Sequence, residues 1–320
     1  MTPDRRIVAR TREVLEDRRR MTDAARIART EELYERCPRI REIDSALRAL
    51  GVEIARSAME PDGAARIEGI KKRSGELRRD RERLLAEQGE TGELGPVCPH
   101  CGDTGFLSDG RFCDCFLKEY AAQTLRWLNE KLPERMAGFS RFDPSVFSDA
   151  VDDRFGISPR HAAQANARVC RDFAENFDKT GENLYLYGPA ACGKTYLASA
   201  AAMRAAERGF SVDYETAYVL CANYEAQRFG RGDEETDAAV RAYGEVDLLL
   251  IDDLGCEMNT AFTNPALYNL INTRFGAGKS TVILSELSEA ELSERYLAQT
   301  VGRIRNDFTT LPFIGTISKK

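Results

Sequence analysis

One segment of the chain has the residue types and the spacing of a phosphate-binding loop, because it satisfies the pattern G-x-x-x-x-G-K-[ST]. Its eight residues are Gly188, Pro189, Ala190, Ala191, Cys192, Gly193, Lys194 and Thr195. The backbone N–H groups of such a loop surround phosphate oxygens at the beginning of a helix, where the helix dipole also favours negative charge. We expect Lys194 to reach the β- and γ-phosphates of ATP and Thr195 to hold Mg²⁺.

A pair of carboxylates follows the apolar run at residues 248–251. Parallel sheets bind ligands beyond the carboxyl ends of their strands, which is where Asp252 and Asp253 would lie. We expect Asp252 to hold Mg²⁺, directly or through water, and Asp253 to orient the attacking water. Two acids after an apolar run could also cap a helix. Downstream of a phosphate loop, the pair favours a catalytic site.

Four of the nine cysteines lie close together in the chain. They are Cys98, Cys101, Cys113 and Cys115. Four thiolates at this spacing can close a tetrahedron around Zn²⁺, and such a site is structural because no coordination position stays open. His100 could replace one thiolate, since the two sulfurs of a C-x-C pair are held close together. An iron–sulfur cluster and unliganded thiols are the alternatives to zinc.

Short apolar runs alternate with helical stretches from about residue 161 onward. The runs span residues 184–187, 211–214, 248–251, 281–284 and 313–317. Strands separated by helices predict a mostly parallel sheet that is covered on both faces. The first run leads into the phosphate loop and the third leads into the two acids. The sheet would therefore position both halves of the ATP site.

The first 90 residues contain almost no strand pattern. A helix is predicted from the apolar stripe of Ile40, Ile43, Leu47, Leu50 and Ile54, and a second over residues 64–87 from Ile67, Ile70, Leu77 and Leu84. Residues 60–63, Glu-Pro-Asp-Gly, predict a turn between the two helices. We expect an antiparallel helical hairpin. Its apolar stripes would pack on each other, and its outer face could bind a partner.

The chain of 320 residues has a formal net charge of −6 and a pI of about 5.4. This balance excludes a surface that is basic throughout but leaves room for a local basic patch. The beginning of the chain has no apolar segment like that of a signal peptide, and no apolar run is long enough to span a bilayer. We therefore expect a cytoplasmic protein with no membrane partner.

The length suggests about two domains, and the changes in pattern along the chain suggest where they begin and end. We predict a helical partner-binding region over residues 1–90 and a zinc-binding segment with a helix over residues 91–135. A linker rich in Phe, Pro and Asp would follow over residues 136–160, and an ATPase domain over residues 161–320.

These motifs resemble those of the AAA+ helicase loaders of the DnaC and DnaI type and of IstB, a transposition helper ATPase. The resemblance covers about residues 139–317 and rests on Tyr-Gly-Pro at 187–189, Gly-Lys-Thr at 193–195 and the segment 247–255. The connector at residues 139–149 and the cysteines before it are similar to those of loaders carried by phages and mobile elements. The resemblance implies an α/β fold, in which a parallel-sheet AAA+ P-loop ATPase domain follows a helical N-terminal region with a small zinc-binding segment.

The same resemblance assigns two further site residues by position. Arg303, within Val-Gly-Arg-Ile, matches the arginine finger that completes the ATP site of a neighbouring subunit, and Arg305 and Arg295 are competing candidates. Glu286 stands where the family usually has a sensor Asn that faces the γ-phosphate. A Glu would repel the phosphate unless it is protonated, turned away or bridged by metal. We therefore expect a weak ATPase.

The resemblance leaves three functions open. The first is a helicase loader in DNA replication, whose ATP-bound subunits self-associate and bind single-stranded DNA and a hexameric replicative helicase. The second is an IstB-like helper that remodels duplex DNA for a transposase, and the third is a non-hydrolysing ATP-dependent adaptor. The zinc-bearing N-terminal extension favours the first, because IstB proteins have a different N-terminal part without zinc.

Residues 214–231 carry the side chains that single-strand binding requires, which are cations and aromatic platforms. They are Tyr218, Tyr224, Arg228, Phe229 and Arg231. The alternative is that these aromatic residues belong to the core.

Overall fold

The computed structural model describes residues 3–59, 63–89, 96–132, 138–177 and 181–316. The chain forms two compact units, one made of Met1–Arg12 with Asp114–Lys320 and the other of Glu13–Cys113. In the described parts of the chain, no helix is long and apolar enough to cross a membrane. The boundaries predicted at residues 90, 135 and 160 stay a prediction about separately folding domains.

The larger unit is built on a five-stranded parallel sheet. Its strands are β1 (Leu184–Tyr187), β2 (Val212–Thr216), β3 (Leu248–Leu254), β4 (Ser280–Ser285) and β5 (Thr309–Pro312). They lie in the order β2-β3-β4-β1-β5, and every neighbouring pair is parallel. Parallel neighbours need crossover connections, which the helices between them supply. This architecture confirms the predicted α/β class with its parallel sheet.

The crossover helices alternate with the strands along the chain. They are α6 (Lys194–Glu207), α7 (Ala217–Arg228), α8 (Glu234–Glu245), α9 (Thr263–Gly276), α10 (Glu289–Arg295) and α11 (Ala298–Asp307). Helices α4 (Asp114–Lys131) and α5 (Pro159–Glu175) precede β1, and short 3-10 turns at Phe139–Arg141 and Pro144–Val146 lie between them.

Both faces of the sheet are covered by helices. Successive side chains of a strand point to opposite faces, so each strand contributes to both buried clusters. In β3, Leu248 and Leu250 pack with the alanine-rich face of α6, whereas Leu249 and Ile251 pack with α7, α8 and α9. Such strands read as unbroken apolar runs, which is why the sequence predicts β1 and β3 so clearly.

The last strand is the one that the sequence predicts wrongly. Strand β5 is Thr309–Pro312 rather than residues 313–317, and residue 317 lies outside the described part of the chain. Phe313 and Ile314 follow the strand and are buried, so their apolar character reflects their place in the core. The pairing with β1 is made by a strand that begins with two threonines, and polar edge positions carry little apolar pattern.

The smaller unit contains the predicted helical hairpin. Helix α1 (Arg5–Arg36) continues into this unit and precedes α2 (Pro38–Ser57) and α3 (Gly63–Glu87). Ion pairs Asp44–Arg81, at 2.6 Å, and Glu53–Arg66, at 3.3 Å, show that α2 and α3 run antiparallel. Ile40 and Ile43 of the predicted stripe are buried. Of the turn predicted over residues 60–63, residues 60–62 lie outside the described part of the chain, and residue 63 begins α3.

Candidate ATP site and metal centre

The phosphate loop leaves the end of β1 and enters α6, and its backbone needs glycine at two places. A Cβ on Gly188, at φ 148°, would lie 2.2 Å from the carbonyl oxygen of Phe313, so no side chain fits there. Gly193 has φ 90°, in the left-handed region that favours glycine. Ala191 also has a positive φ of 54° although it carries a side chain. The loop thus keeps its curve with one strained residue.

The side chain of Lys194 folds back over the loop. Its Nζ donates to the carbonyl oxygens of Gly188, at 2.7 Å, and Pro189, at 2.8 Å, and only 8 % of the residue is exposed. The ammonium group therefore sits among carbonyl acceptors that phosphate oxygens would replace. Burial raises the pKa of the neighbouring Cys192 thiol, and the charge of Lys194 offsets part of that rise.

Asp252 lies against the phosphate loop with its carboxylate held by three donors. Its Oδ2 accepts from Thr195 Oγ1 at 3.1 Å and from Tyr214 Oη at 2.9 Å, and its Oδ1 accepts from the backbone N of Asp253 at 2.8 Å. The structure thus brings together Thr195 and Asp252, the two predicted magnesium ligands. A hydroxyl and a carboxylate are oxygen donors of the kind that Mg²⁺ prefers. Tyr214 was not among the predicted site residues.

Asp253 has a different environment from its neighbour. Its backbone has φ 55°, and the pairing of β3 with β4 shifts register between Ile251 and Leu254. Such a bulge turns a side chain out of its place in the strand, and Asp253 is exposed whereas Asp252 is buried. Lost solvation and the charge of Asp252 raise the pKa of Asp253, against a smaller opposing effect of Lys194.

Glu286 follows directly after β4, which lies between β1 and β3 in the sheet. Its side chain is exposed. Burial is the first cause of the raised pKa of the Cys256 thiol, and the negative charges of Asp253 and Glu286 add to it. The two acids therefore act on the same edge of the sheet.

The three candidate finger arginines all have partners in their own chain. Arg303 donates to Asn272 Oδ1 at 2.8 Å and to Asp307 Oδ2 at 3.0 Å, and its guanidinium lies 4.6 Å from the centre of the Phe275 ring. Arg305 pairs with Glu289 at 3.4 Å and is more than half exposed. Arg295 donates to the backbone carbonyl of Glu257.

The four cysteines of the predicted zinc site come together. Their sulfur atoms all lie within 4.8 Å of one another, and Cys98 and Cys113 are separated by 3.7 Å. Four sulfurs around a zinc ion at the usual Zn–S length would be about 3.8 Å apart, so the donor set fits zinc. His100 is not part of the group and is exposed, which favours four thiolates.

Local structure explains how the short segment brings its sulfurs together. Asp103, buried and at φ 61°, accepts from the backbone N of Val97 and of Cys98, both at 2.8 Å. Phe106 and Phe112 form an antiparallel bridge that returns the chain to Cys113, and Cys115 lies in the first turn of α4. The cysteine segment is therefore held by the Asp103 carboxylate and by the bridge between Phe106 and Phe112 rather than by a large core.

Comparison with known proteins places this site in a family. The model of the family described as IstB-like ATP binding protein matches residues 152–301. The ATP-binding protein of insertion sequence IS1162 from Pseudomonas fluorescens is 32% identical over 165 residues, which are 51% of this chain and 67% of that protein. The chain belongs to the IstB-like ATP-binding family.

Helicase loaders are also similar to this IstB-like protein. The replicative helicase loader DnaC of Buchnera aphidicola is 25% identical over 135 residues, which are 42% of this chain and 55% of the loader. The chain thus spans little more than half the length of that relative. The crystal structure of DnaI is 23% identical and superposes with a TM-score of 0.43, covering 60% of this chain and 93% of that one.

The family match divides the candidate residues of this IstB-like protein into two sets. The phosphate loop, both acids after β3 and Glu286 lie inside residues 152–301, whereas Arg303 and the four cysteines lie outside. Tyr214 lies inside the match but belongs to no motif. Only the parallel register of β2 and β3, in which Thr216 is the partner of Asp252, brings Tyr214 near that acid.

Proposed function

We propose that this IstB-like protein is an ATP-dependent loader that delivers a hexameric replicative helicase during DNA replication. The observation that carries the proposal is the contact between Thr195 and Asp252 beside a glycine-shaped phosphate loop, which supports Mg²⁺-ATP binding. The similarity to DnaC adds the loader role. The helical unit and the cysteine cluster lie outside the family match and are available for a specific partner.

Within this proposal each site residue has a chemical task. Lys194 exchanges its two carbonyl partners for phosphate oxygens, and Thr195 and Asp252 are the residues that would hold Mg²⁺. The ion would neutralise charge on the β- and γ-phosphates. Asp253 would orient water, and its exposure beside Asp252 supports that role. Glu286 adds negative charge to the same edge of the sheet, which supports slow turnover.

An exposed surface at the C-terminal end of α7 supports single-strand binding. Phe229 is 61% exposed, and the guanidinium of Arg231 lies 5.8 Å from the centre of its ring. Arg228 lies over Phe262 in the same way, at 5.5 Å, and the Phe229 and Phe262 rings are neighbours. A cavity of about 300 Å³ lies beside Phe229 and Arg231. Exposed rings with cations are suited to stack on successive bases.

Tyr224 does not belong to that surface. It packs against the core cluster on the face of the sheet that carries Leu249 and Ile251. Its ring centre lies 6.2 Å from that of Tyr243. Tyr218, in contrast, is 57% exposed.

A second candidate function is an ATP-dependent helper of a transposase. The observation in its favour is that the insertion-sequence protein is 32% identical to this chain, whereas the Buchnera loader is 25% identical. The adaptor alternative requires ATP binding without turnover, which the position of Glu286 favours.

Pull-downs with the full chain separate these functions. A hexameric replicative helicase should be retained with ATP, and Lys194→Ala should lose both ATP affinity and ATP-dependent retention. Lys118→Ala is the matched control, because Lys118 is an exposed lysine on α4. Retention of a transposase instead of the helicase would favour the second function. Nucleotide affinity of Lys194→Ala within about threefold of the parent would contradict the ATP site itself.

Binding to a fluorescent single-stranded oligonucleotide tests the α7 surface. Phe229→Ala with Arg231→Ala should weaken binding by roughly tenfold, because each stacked base contributes about 1–3 kcal/mol. The control is Phe155→Ala with Arg154→Ala, which removes another exposed ring with an arginine 5.7 Å from its centre. Equal losses in the two double variants would remove this surface from the proposal.

A further inference from the structure

A completely buried carboxylate lies on β2, one residue before the tyrosine that contacts Asp252. Asp213 accepts from Arg6 at 2.7 Å, from Trp127 Nε1 at 3.0 Å and from Lys131 Nζ at 3.1 Å. Burial alone would raise the pKa of Asp213, but the charges of Lys131 and Arg6 outweigh it and lower the pKa. An ion of this kind is costly to bury unless every partner is in place.

One of those partners comes from the beginning of the chain. Arg6 also pairs with Asp4, whose backbone N donates to Tyr120 Oη at 2.8 Å. The guanidinium groups of Arg6 and Arg10 lie 4.9 and 4.6 Å from the centre of the Trp127 ring. Residues 4–10 are thus fastened to α4 and β2 by buried charge and by a cation–π stack.

The cluster is connected to the magnesium ligand through the next residue of β2. Lys131, which bonds Asp213, also donates to the backbone carbonyl of Tyr214 at 3.1 Å. The side chain of Tyr214 points to the opposite face of the sheet from Asp213, and it is 4% exposed. Its hydroxyl reaches Asp252 Oδ2. Both ends of this residue are therefore fixed, the backbone by Lys131 and the hydroxyl by the carboxylate.

We propose that Tyr214 is a positioning residue that orients the Asp252 carboxylate for Mg²⁺. Arg6 keeps Tyr214 in place through Asp213. The proposal rests on the proposed function, in which Asp252 holds the metal of bound ATP. Asp252 Oδ2 has two side-chain donors, Thr195 and Tyr214. Without the tyrosine hydroxyl the carboxylate has one fewer restraint on its rotation, and metal binding must then supply the missing order.

The test is Tyr214→Phe, which removes one oxygen and keeps the ring that packs in the core. The dissociation constant of a non-hydrolysable ATP analogue is measured with Mg²⁺ and with EDTA. We expect roughly three- to tenfold weaker binding with Mg²⁺, as for the loss of one hydrogen bond, and no change with EDTA. Tyr196→Phe is the matched control, because its hydroxyl bonds the backbone carbonyl of Gly138 at 2.9 Å.

A second pair of variants tests the connection to the beginning of the chain. Arg6→Gln should produce the same Mg²⁺-specific loss, whereas Arg10→Gln should not, because Arg10 stacks on Trp127 and pairs with the exposed Glu130 instead. Trp127 is the only tryptophan of the chain, so its fluorescence reports whether residues 4–10 stay attached.

The outcomes distinguish the proposal from the function on which it rests. If the parent chain binds no nucleotide, the proposed function fails and the positioning role fails with it. If the parent binds Mg²⁺-ATP and Tyr214→Phe retains the full effect of Mg²⁺, only the positioning role is overturned. An equal loss with Mg²⁺ and with EDTA would mean a purely structural role and would overturn it as well. If Arg6→Gln matches the parent, the connection through Asp213 is overturned.

Discussion

The two acids after β3 lie next to each other in sequence and have opposite environments. Asp252 is buried and accepts three hydrogen bonds, whereas Asp253 is exposed on a bulge and its pKa is raised. Carboxylates that are close in space but differ in environment usually divide the chemistry between them. A fixed anion suits metal binding, and an exposed group with a raised pKa suits the handling of water.

Asp253→Asn is therefore expected to spare ATP binding and to lower the rate of hydrolysis by about a hundredfold or more. The raised pKa also sets the sign of the pH dependence. As the solution is acidified, Asp253 becomes protonated at a higher pH than an ordinary carboxyl group does. Turnover requires ionised Asp253, so the turnover of the parent should begin to fall at that higher pH. Steady-state hydrolysis between pH 5 and 8 measures both effects. Undiminished turnover in the Asn variant would assign water orientation to another residue.

Glu286 is expected to oppose the bound γ-phosphate. A carboxylate within about 4 Å would oppose it by roughly 4 kcal/mol at an effective dielectric near 20, and any greater distance reduces this figure. Glu286→Asn should therefore tighten ATP binding or raise the hydrolysis rate. Glu294→Gln on α10 is the control, because it removes an exposed charge from the same unit. If affinity and rate both stay at the parent values, Glu286 faces away from the phosphate and has no sensor role.

At the scale of elements, local pattern predicts some parts of the molecule well and others not at all. The buried strands β1 and β3 are continuous apolar runs, and the cysteine spacing needs only a short segment to close. Strand β5 is polar at its start, so its place follows from pairing with β1 and not from its own composition. The contact of Tyr214 with Asp252 depends on the register of two strands, and that of Arg6 with Asp213 joins residues more than 200 positions apart.

The cysteine segment is an element that its metal should hold together. Changing both Cys98 and Cys101 to Ser should release about one Zn²⁺ per chain and unfold the surroundings of residues 96–113. The ATPase domain should keep its fold, since the metal organises only its local ligands. Metal analysis and nucleotide affinity measure the two effects, and Cys37→Ser is the control outside the cluster. Protein purified without chelators and found to contain no zinc would contradict this prediction.

At the scale of the whole molecule, an arginine finger must exchange its partners in its own chain for the ATP site of a neighbouring subunit. Arg303 is held by Asn272, by Asp307 and by the Phe275 ring, so it has to exchange these partners on assembly. Arg305 is more exposed and has a single ion pair with Glu289. If Arg303 is the finger, its release opposes assembly, and turnover should rise steeply with protein concentration.

Mixing two inactive variants tests this arrangement. Arg303→Ala should bind ATP and fail to hydrolyse it, because each of its intact sites lacks a neighbour's arginine. Lys194→Ala keeps Arg303 but should lose its own ATP site. A mixture of the two should regain part of the parent turnover, since mixed assemblies place an intact arginine beside an intact site. The control replaces Lys194→Ala in this mixture by the double variant Arg303→Ala with Lys194→Ala, and this mixture should stay inactive.

Full turnover by Arg303→Ala alone would exclude Arg303 as the finger. The same pair of experiments on Arg305→Ala would then decide whether the more exposed arginine has that role.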